Sequence, residues 1–331
     1  MTAVARYVIG PIILAAMVTF GLGLLSGGVY GWTLFAVFPL LIGGLTAWIF
    51  QPATPSRAIG IGAIAVLIAT CSLLFINIEG LICIVMTLPL AIPLGALGAW
   101  LIQRADSTRP PKRGGVMAFI LLPITSFAWD THAIPQLFEV RSAITINAPP
   151  EQVWKHVLSF SDLPEPREWY FHTGLAYPIR ARIEGTGPGA IRYCEFSTGP
   201  FVEPIEVWDE PYLLRFRVTE NPAPMREWSP WAELTPKHLH GYMISKQGQF
   251  RLTCLPHNQT LLEGTTWYRH GLWPSTYWRW WSDAIIHRVH LRVLNHIRAL
   301  AEAHPLESMH GYGSRHQPGG RETQSSTVGN R

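Results

Sequence analysis

Charge is what this sequence has least of. Charged side chains make up 15% of the 331 residues, against roughly 25% in a typical soluble protein. The shortage sits at one end: between residues 1 and 103 the only charged side chains are Arg6, Arg57 and Glu79. With 48% apolar residues, the chain as a whole is not a disordered polymer, a coiled coil or a collagen-like fibre. Cysteine is scarce too, with four in the chain, and no zinc-ligand spacing is formed. There is no phosphate-binding loop and no nucleophile elbow. Gly185–Gly189 (GTGPG) superficially has the glycines of a dinucleotide loop, but a strand pattern follows it, so it reads as a turn. A net charge of +4 is modest, which argues against nucleic-acid binding.

In place of charge, the first third has four long apolar runs: Tyr7–Leu25, Trp32–Phe50, Ala58–Ile76 and Leu81–Ile102. Each is near the roughly 20 residues with which a helix crosses about 30 Å of hydrocarbon. Glycine and proline inside them are tolerated in bundled membrane helices. A signal peptide would explain the first run alone, not the three behind it. A fifth run, Gly115–Trp129, is shorter. The connector Arg104–Arg113 (RADSTRPPKR) is basic, and Arg57 and Arg6 mark the same side of the membrane by the positive-inside rule. Glu79 falls in a loop on the other side. The expectation is an N-inside, multi-pass cell-membrane protein with five crossings. That places everything after Asp130 outside the cytoplasm, in the periplasm if the cell is Gram-negative. Four crossings would leave it in the cytoplasm. No ionisable group sits in mid-run, which argues against a pump or transporter. Cys71 and Cys83 are read as packing residues.

From Phe138 the periodicity changes from helical runs to alternation. Phe138–Asn147 alternates and is β-branched. Ala148-Pro149-Pro150 breaks it, and Glu151–Phe160 puts Val153, Trp154, Val157 and Leu158 on one helical face. Strands are expected over Ala181–Glu184, Ala190–Ser197, Val202–Trp208, Leu213–Thr219, Gly248–Leu255 and Thr260–His270. A long helix follows over about Ser275–Ala303. Residues 1–130 are thus expected to be the membrane region, 131–304 a folded domain and 305–331 a disordered tail.

The opening VRSAITINAPPEQVWKHVLSFSDLPE and the closing strand and helix carry a resemblance. Over roughly Glu139–Glu302 the chain resembles the SRPBCC (START-like) superfamily, in particular its polyketide cyclase/dehydrase and lipid-transport group. The resemblance implies an α+β helix-grip fold, a curved antiparallel sheet around the long C-terminal helix, here behind an α-helical transmembrane bundle. It implies a cavity for a hydrophobic small molecule or lipid. The cavity lining expected from strand and helix patterning is Phe196, Glu203, Leu214, Phe216, Phe250, Leu252, Tyr268, Trp278, Ile285 and His296. If the domain is catalytic, in the manner of a cyclase or dehydrase, Glu203 and His296 are the acid–base candidates. A binder near the bilayer is the preferred expectation, and a sensor coupled to the membrane helices is a third.

Other features keep several readings. Asp283, His287 and His290 share a helical stripe at metal-ligand spacing, although a solvated face suits that stripe better. No cofactor is expected. Cys194 and Cys254 fall in strands that are not neighbours, against a disulfide. The aromatics Trp267, Tyr268, Trp273, Tyr277, Trp278, Trp280 and Trp281 could be core, cavity wall or a membrane-surface belt. The connection Asn221–Ser245 is long enough to be a lid or a docking element.

Overall fold

The computed structural model describes residues 3–108, 114–231 and 234–303. Arg109–Arg113 of the basic connector and the tail over 305–331 lie outside these residues. The helical block comprises α1 (Ala3–Gly27), α2 (Phe38–Phe50, preceded by a single π turn over Thr33–Val37), α3 (Pro55–Phe75), α4 (Leu81–Thr108) and α5 (Gly114–Asp130). Among the described residues, four helices are long and apolar enough to cross a membrane: Arg6–Gly27, Thr33–Phe50, Pro55–Phe75 and Leu81–Ala105. The fifth apolar run forms α5, whose 17 residues rise about 25 Å.

Start signals are local. Thr54 accepts from the Arg57 amide, and Pro55 opens α3. Packing inside the block uses small residues. A Cβ on Gly43 of α2 would stand 1.9 Å from the Gly95 carbonyl oxygen of α4. Only glycine lets these backbones approach so closely, a device common at membrane-helix crossings. Large apolar side chains such as Ile12, Ile64, Ile68 and Val85 point outward, as lipid-facing residues do.

The second part is one sheet. Its strands are β1 (Leu137–Ile146), β2 (Pro178–Glu184), β3 (Ile191–Phe196), β4 (Gly199–Asp209), β5 (Leu213–Arg217), β6 (Met243–Leu255) and β7 (Gln259–His270). They run in the order β1-β7-β6-β5-β4-β3-β2, with antiparallel neighbours throughout. A short helix, α6 (Pro150–Leu158), and a long one, α7 (Ser275–Ala303), complete it. Val153, Trp154 and Val157 of α6 share one core with Leu214, Leu252 and Leu262 of the sheet and Leu294 and Ile297 of α7. This is a helix-grip: a curved antiparallel sheet holding a C-terminal helix.

The β2–β3 connection is a turn, with positive φ at Gly185, Gly187 and Gly189. The β4 pattern differs from simple alternation. A register shift between Ile205 and Val207 leaves Phe201, Glu203 and Ile205 on the inner face, and then turns Trp208 inward in place of Val207. Cys194 and Cys254 lie on β3 and β6 and are both free.

The sheet domain docks on the bundle end formed by the α1–α2 and α3–α4 loops, opposite Arg57. Trp278 packs on Phe35 with ring centroids 4.7 Å apart. Tyr277 donates to the Met86 carbonyl and Tyr242 to that of Gly28. Trp231 Nε1 donates to the Phe75 carbonyl at 2.8 Å. Two carboxylates, each distant in sequence, cap helices at this end. Asp130 accepts from the amides of Trp32 and Thr33 at 2.8 and 2.9 Å. Glu227 accepts from those of Ile82 and Cys83 at 3.1 and 3.0 Å. A Cβ on Gly80 would stand 2.1 Å from Glu227 Oε2, so glycine there admits the cap. Both caps satisfy free amides and place negative charge where a helix favours it.

Candidate functional site: the cavity under the C-terminal helix

Between α7 and the inner face of the sheet lies a cavity of about 150 Å³. Its apolar wall comes from Phe196, Phe201, Phe216 and Phe250 on the sheet and Ile285, Val289 and Val293 on the helix. Gly248 faces Phe216 across the β5–β6 ladder; a Cβ there would stand 2.6 Å from the ring, so the phenyl lies over bare backbone. Asn221–Pro224, Met243 and Ser245 contribute further lining.

The polar part is concentrated on two adjacent strands. Arg192 and Glu203 are opposite each other across the β3–β4 ladder and both point inward. Arg192 Nη1 donates to Glu203 Oε2. The two side chains are only 2% and 8% exposed. Burial pushes the Glu203 carboxyl up, and the guanidinium pulls it part of the way back. Arg192 also lies over aromatic rings, with its guanidinium carbon 5.4 Å from the centroid of Phe250 and 5.6 Å from that of Phe216. Its Nε and Nη2 have no hydrogen-bond partner among the described residues. An unmet charged donor in an apolar cavity is costly, and a bound acceptor removes that cost.

A second polar group comes from α7. His290 lines the cavity, its Nε2 lies 2.8 Å from Thr266 Oγ1 and its Nδ1 3.1 Å from Ser142 Oγ. The same Ser142 oxygen lies 2.7 Å from His287 Nδ1. Burial, with a smaller contribution from His287, pushes the His290 imidazole down to about 4. The ring is therefore neutral near pH 7, with one nitrogen a donor and the other an acceptor.

The residues expected at the cavity do not all meet there. Phe196, Glu203, Phe216, Phe250 and Ile285 line it. Leu214 and Leu252 are in the core beneath. Tyr268 packs on Phe138 and donates to Asp283 at 2.5 Å. Trp278 belongs to the docking surface. His296 sits beside Phe160 with Nε2 3.2 Å from the Ser161 carbonyl. On the Asp283–His287–His290 stripe, His287 is exposed, as a solvated face would have it, but His290 turns into the cavity. Asp283 is engaged by Tyr268 and Arg279, so the three do not converge on one point. Arg192 and His290 are among the cavity-lining polar residues that patterning alone did not select. The signal for Arg192 was its position, two residues before the inward Cys194.

Residues 138–262 match the family described as polyketide cyclase/dehydrase and lipid transport. No curated protein matches the chain. Among solved structures, the Zhui aromatase/cyclase from Streptomyces sp. R1128 is similar at 16% identity and a TM-score of 0.33, over 50% of this chain and 94% of that one. Norcoclaurine synthase from Thalictrum flavum is similar at 12% identity and a TM-score of 0.34, over 52% and 91%. A Nitrosospira multiformis protein gives 18% and 0.31, over 49% and 94%. The segment over 138–262 thus carries a polyketide cyclase/dehydrase and lipid-transport match, in a domain whose strand order and gripped C-terminal helix are those of a helix-grip fold.

Proposed function

We propose that this protein is a membrane-anchored binder or carrier of a hydrophobic small molecule or lipid, held in the cavity under α7. The observation that carries the reading is the pairing of an apolar wall with the unmet Nε and Nη2 donors of Arg192. Such a pocket suits an amphiphile with a carboxylate or phosphate end, because a guanidinium edge recognises both. Native mass spectrometry and lipid extraction of the purified full chain test it. An anionic amphiphile should co-purify and be lost on Arg192→Met. Recovery of ligand-free wild-type protein, or equal retention by the variant, would remove the support.

A cyclase- or dehydrase-like enzyme is the second reading, favoured by the Ser142–His287–His290 relay at the cavity wall. On that reading, His290→Ala abolishes turnover of a bound substrate and leaves its binding in place. We also place residues after Asp130 on the side of the membrane opposite Arg57. The docking on the α1–α2 and α3–α4 loop end supports this, as does the direction of α5. A C-terminal reporter active only in the cytoplasm would overturn it.

A further inference from the structure

The bundle end that receives the domain holds a polar cluster that the ligand cavity does not use. Glu79, the lone carboxylate of residues 1–103, is 3% exposed in the α3–α4 loop. Tyr30 donates to its Oε1 at 2.8 Å. Its Oε2 is buried without a hydrogen-bond partner among the described residues. His238, from a single 3-10 turn over Lys237–Leu239, is 8% exposed. It brings Nδ1 to 3.4 Å from that oxygen, and this nitrogen too lacks a hydrogen bond among the described residues. Cys83, in the first turn of α4, completes the group: one carboxylate oxygen, one sulfur and one imidazole nitrogen lie within 4.8 Å of one another.

An ion pair alone would turn the His238 N–H onto Glu79 and satisfy both atoms. They face each other unsatisfied instead, with a thiol beside them. A tetrahedral zinc with bonds of about 2.0–2.3 Å holds its ligands roughly 3.5 Å apart, so a small closure brings all three onto one ion. The surroundings fit. Tyr30 occupies Oε1 and leaves Oε2 to the metal. Glu227 Oε1 lies 3.8 Å from His238 Nε2, where a carboxylate selects the tautomer with Nδ1 as ligand. A nitrogen, oxygen and sulfur set of this kind suits zinc better than calcium or magnesium.

We propose that Glu79, Cys83 and His238 form a divalent transition-metal site of the zinc type. The ion displaces the thiol proton to solvent on binding and ties the α3–α4 loop, α4 and the Lys237–Leu239 turn together. Three protein ligands leave a fourth position. It faces a second, mostly apolar cavity of about 460 Å³ in the helical block, to whose lining Tyr30, Glu79, Cys83 and Thr87 contribute.

The test uses the full chain in detergent, stripped with chelator and reloaded with zinc or cobalt alone. Elemental analysis after dialysis should give about one zinc per chain, with loss of about 10-fold or more in affinity for Cys83→Ser and His238→Gln. Cobalt loading of the wild type should give the near-ultraviolet thiolate-to-cobalt band, a reading that needs no variant to fold. His132→Gln, at an exposed residue outside the cluster, should leave metal content unchanged. Wild-type protein that retains no zinc and shows no cobalt–thiolate band overturns the site. So does full metal content in both variants.

Discussion

The Arg192–Glu203 pair allows a decisive perturbation, Glu203→Gln. The substitution is nearly isosteric and removes only the charge. Arg192 stays ionised at any ordinary pH, so the variant, stripped of bound amphiphile, holds a cation that is 1% exposed with no anion beside it. Breaking one side of a buried pair costs about 3–5 kcal/mol. For a domain of this size each kcal/mol lowers Tm by about 2–4 °C, so the expected drop is roughly 6–20 °C. Thermal unfolding of the full chain in detergent, followed by near-ultraviolet circular dichroism, reads it. The double variant Arg192→Met, Glu203→Leu is the companion. It removes both charges, and the aromatic wall formed by Phe216 and Phe250 can close on apolar replacements. Its stability should return to within about 1–2 kcal/mol of the wild type or exceed it, while retention of an anionic amphiphile stays lost. A Glu203→Gln protein melting within about 2 °C of the wild type would refute the reasoning, because the cation would then have found another partner or water.

Three further outcomes are expected. The His290 imidazole has its folded value pushed from 6.5 to about 4, so the unfolded chain binds its proton first. Its contribution is complete above pH 6.5 and falls away towards pH 4, by at most about 3 kcal/mol; His290→Asn should flatten that part of the stability–pH curve, and an unchanged curve would count against it. Gly43→Leu places a side chain where even a Cβ would stand 1.9 Å from the Gly95 carbonyl, so the α2–α4 crossing should open and monodisperse protein should disappear on size-exclusion chromatography. Asp130→Ala leaves the Trp32 and Thr33 amides without their acceptor, while the Thr33 hydroxyl keeps Ser126; the cost should be about 1–2 kcal/mol, read as a lower Tm, and Asp130→Asn should recover part of it.

The apolar runs and the alternating strands are legible in the sequence because a helix of membrane-spanning length needs an unbroken apolar run and a half-buried sheet imposes an alternation. The long helix over Ser275–Ala303 agrees with its expected bounds to the residue. Strand parity on β4 is not legible past Ile205, since an irregularity in pairing leaves no trace in the alternation. His290 looks solvent-facing on a helical wheel; the curl of β1 and β7 over α7 encloses more of that helix than its apolar stripe suggests. Trp278 is apolar enough for a cavity, but its position at the start of α7 faces Phe35 of the bundle. Glu79, Cys83 and His238 lie on segments far apart in sequence, so no ligand spacing announces them, and Cys83 looks like a packing residue within its run.

The connection between β5 and β6 has a mechanical consequence. Pro222 and Pro224 stiffen its cavity-lining stretch, and Glu227, three residues further on, is fastened to the first turn of α4. The two residues between them offer little slack, because the Arg226 amide is bonded to the Gly174 carbonyl and Met225 is buried. A molecule that displaces the cavity rim therefore strains the same backbone that holds α4. By reciprocity, any force that tilts α4 alters the hold on that molecule by an equal free energy.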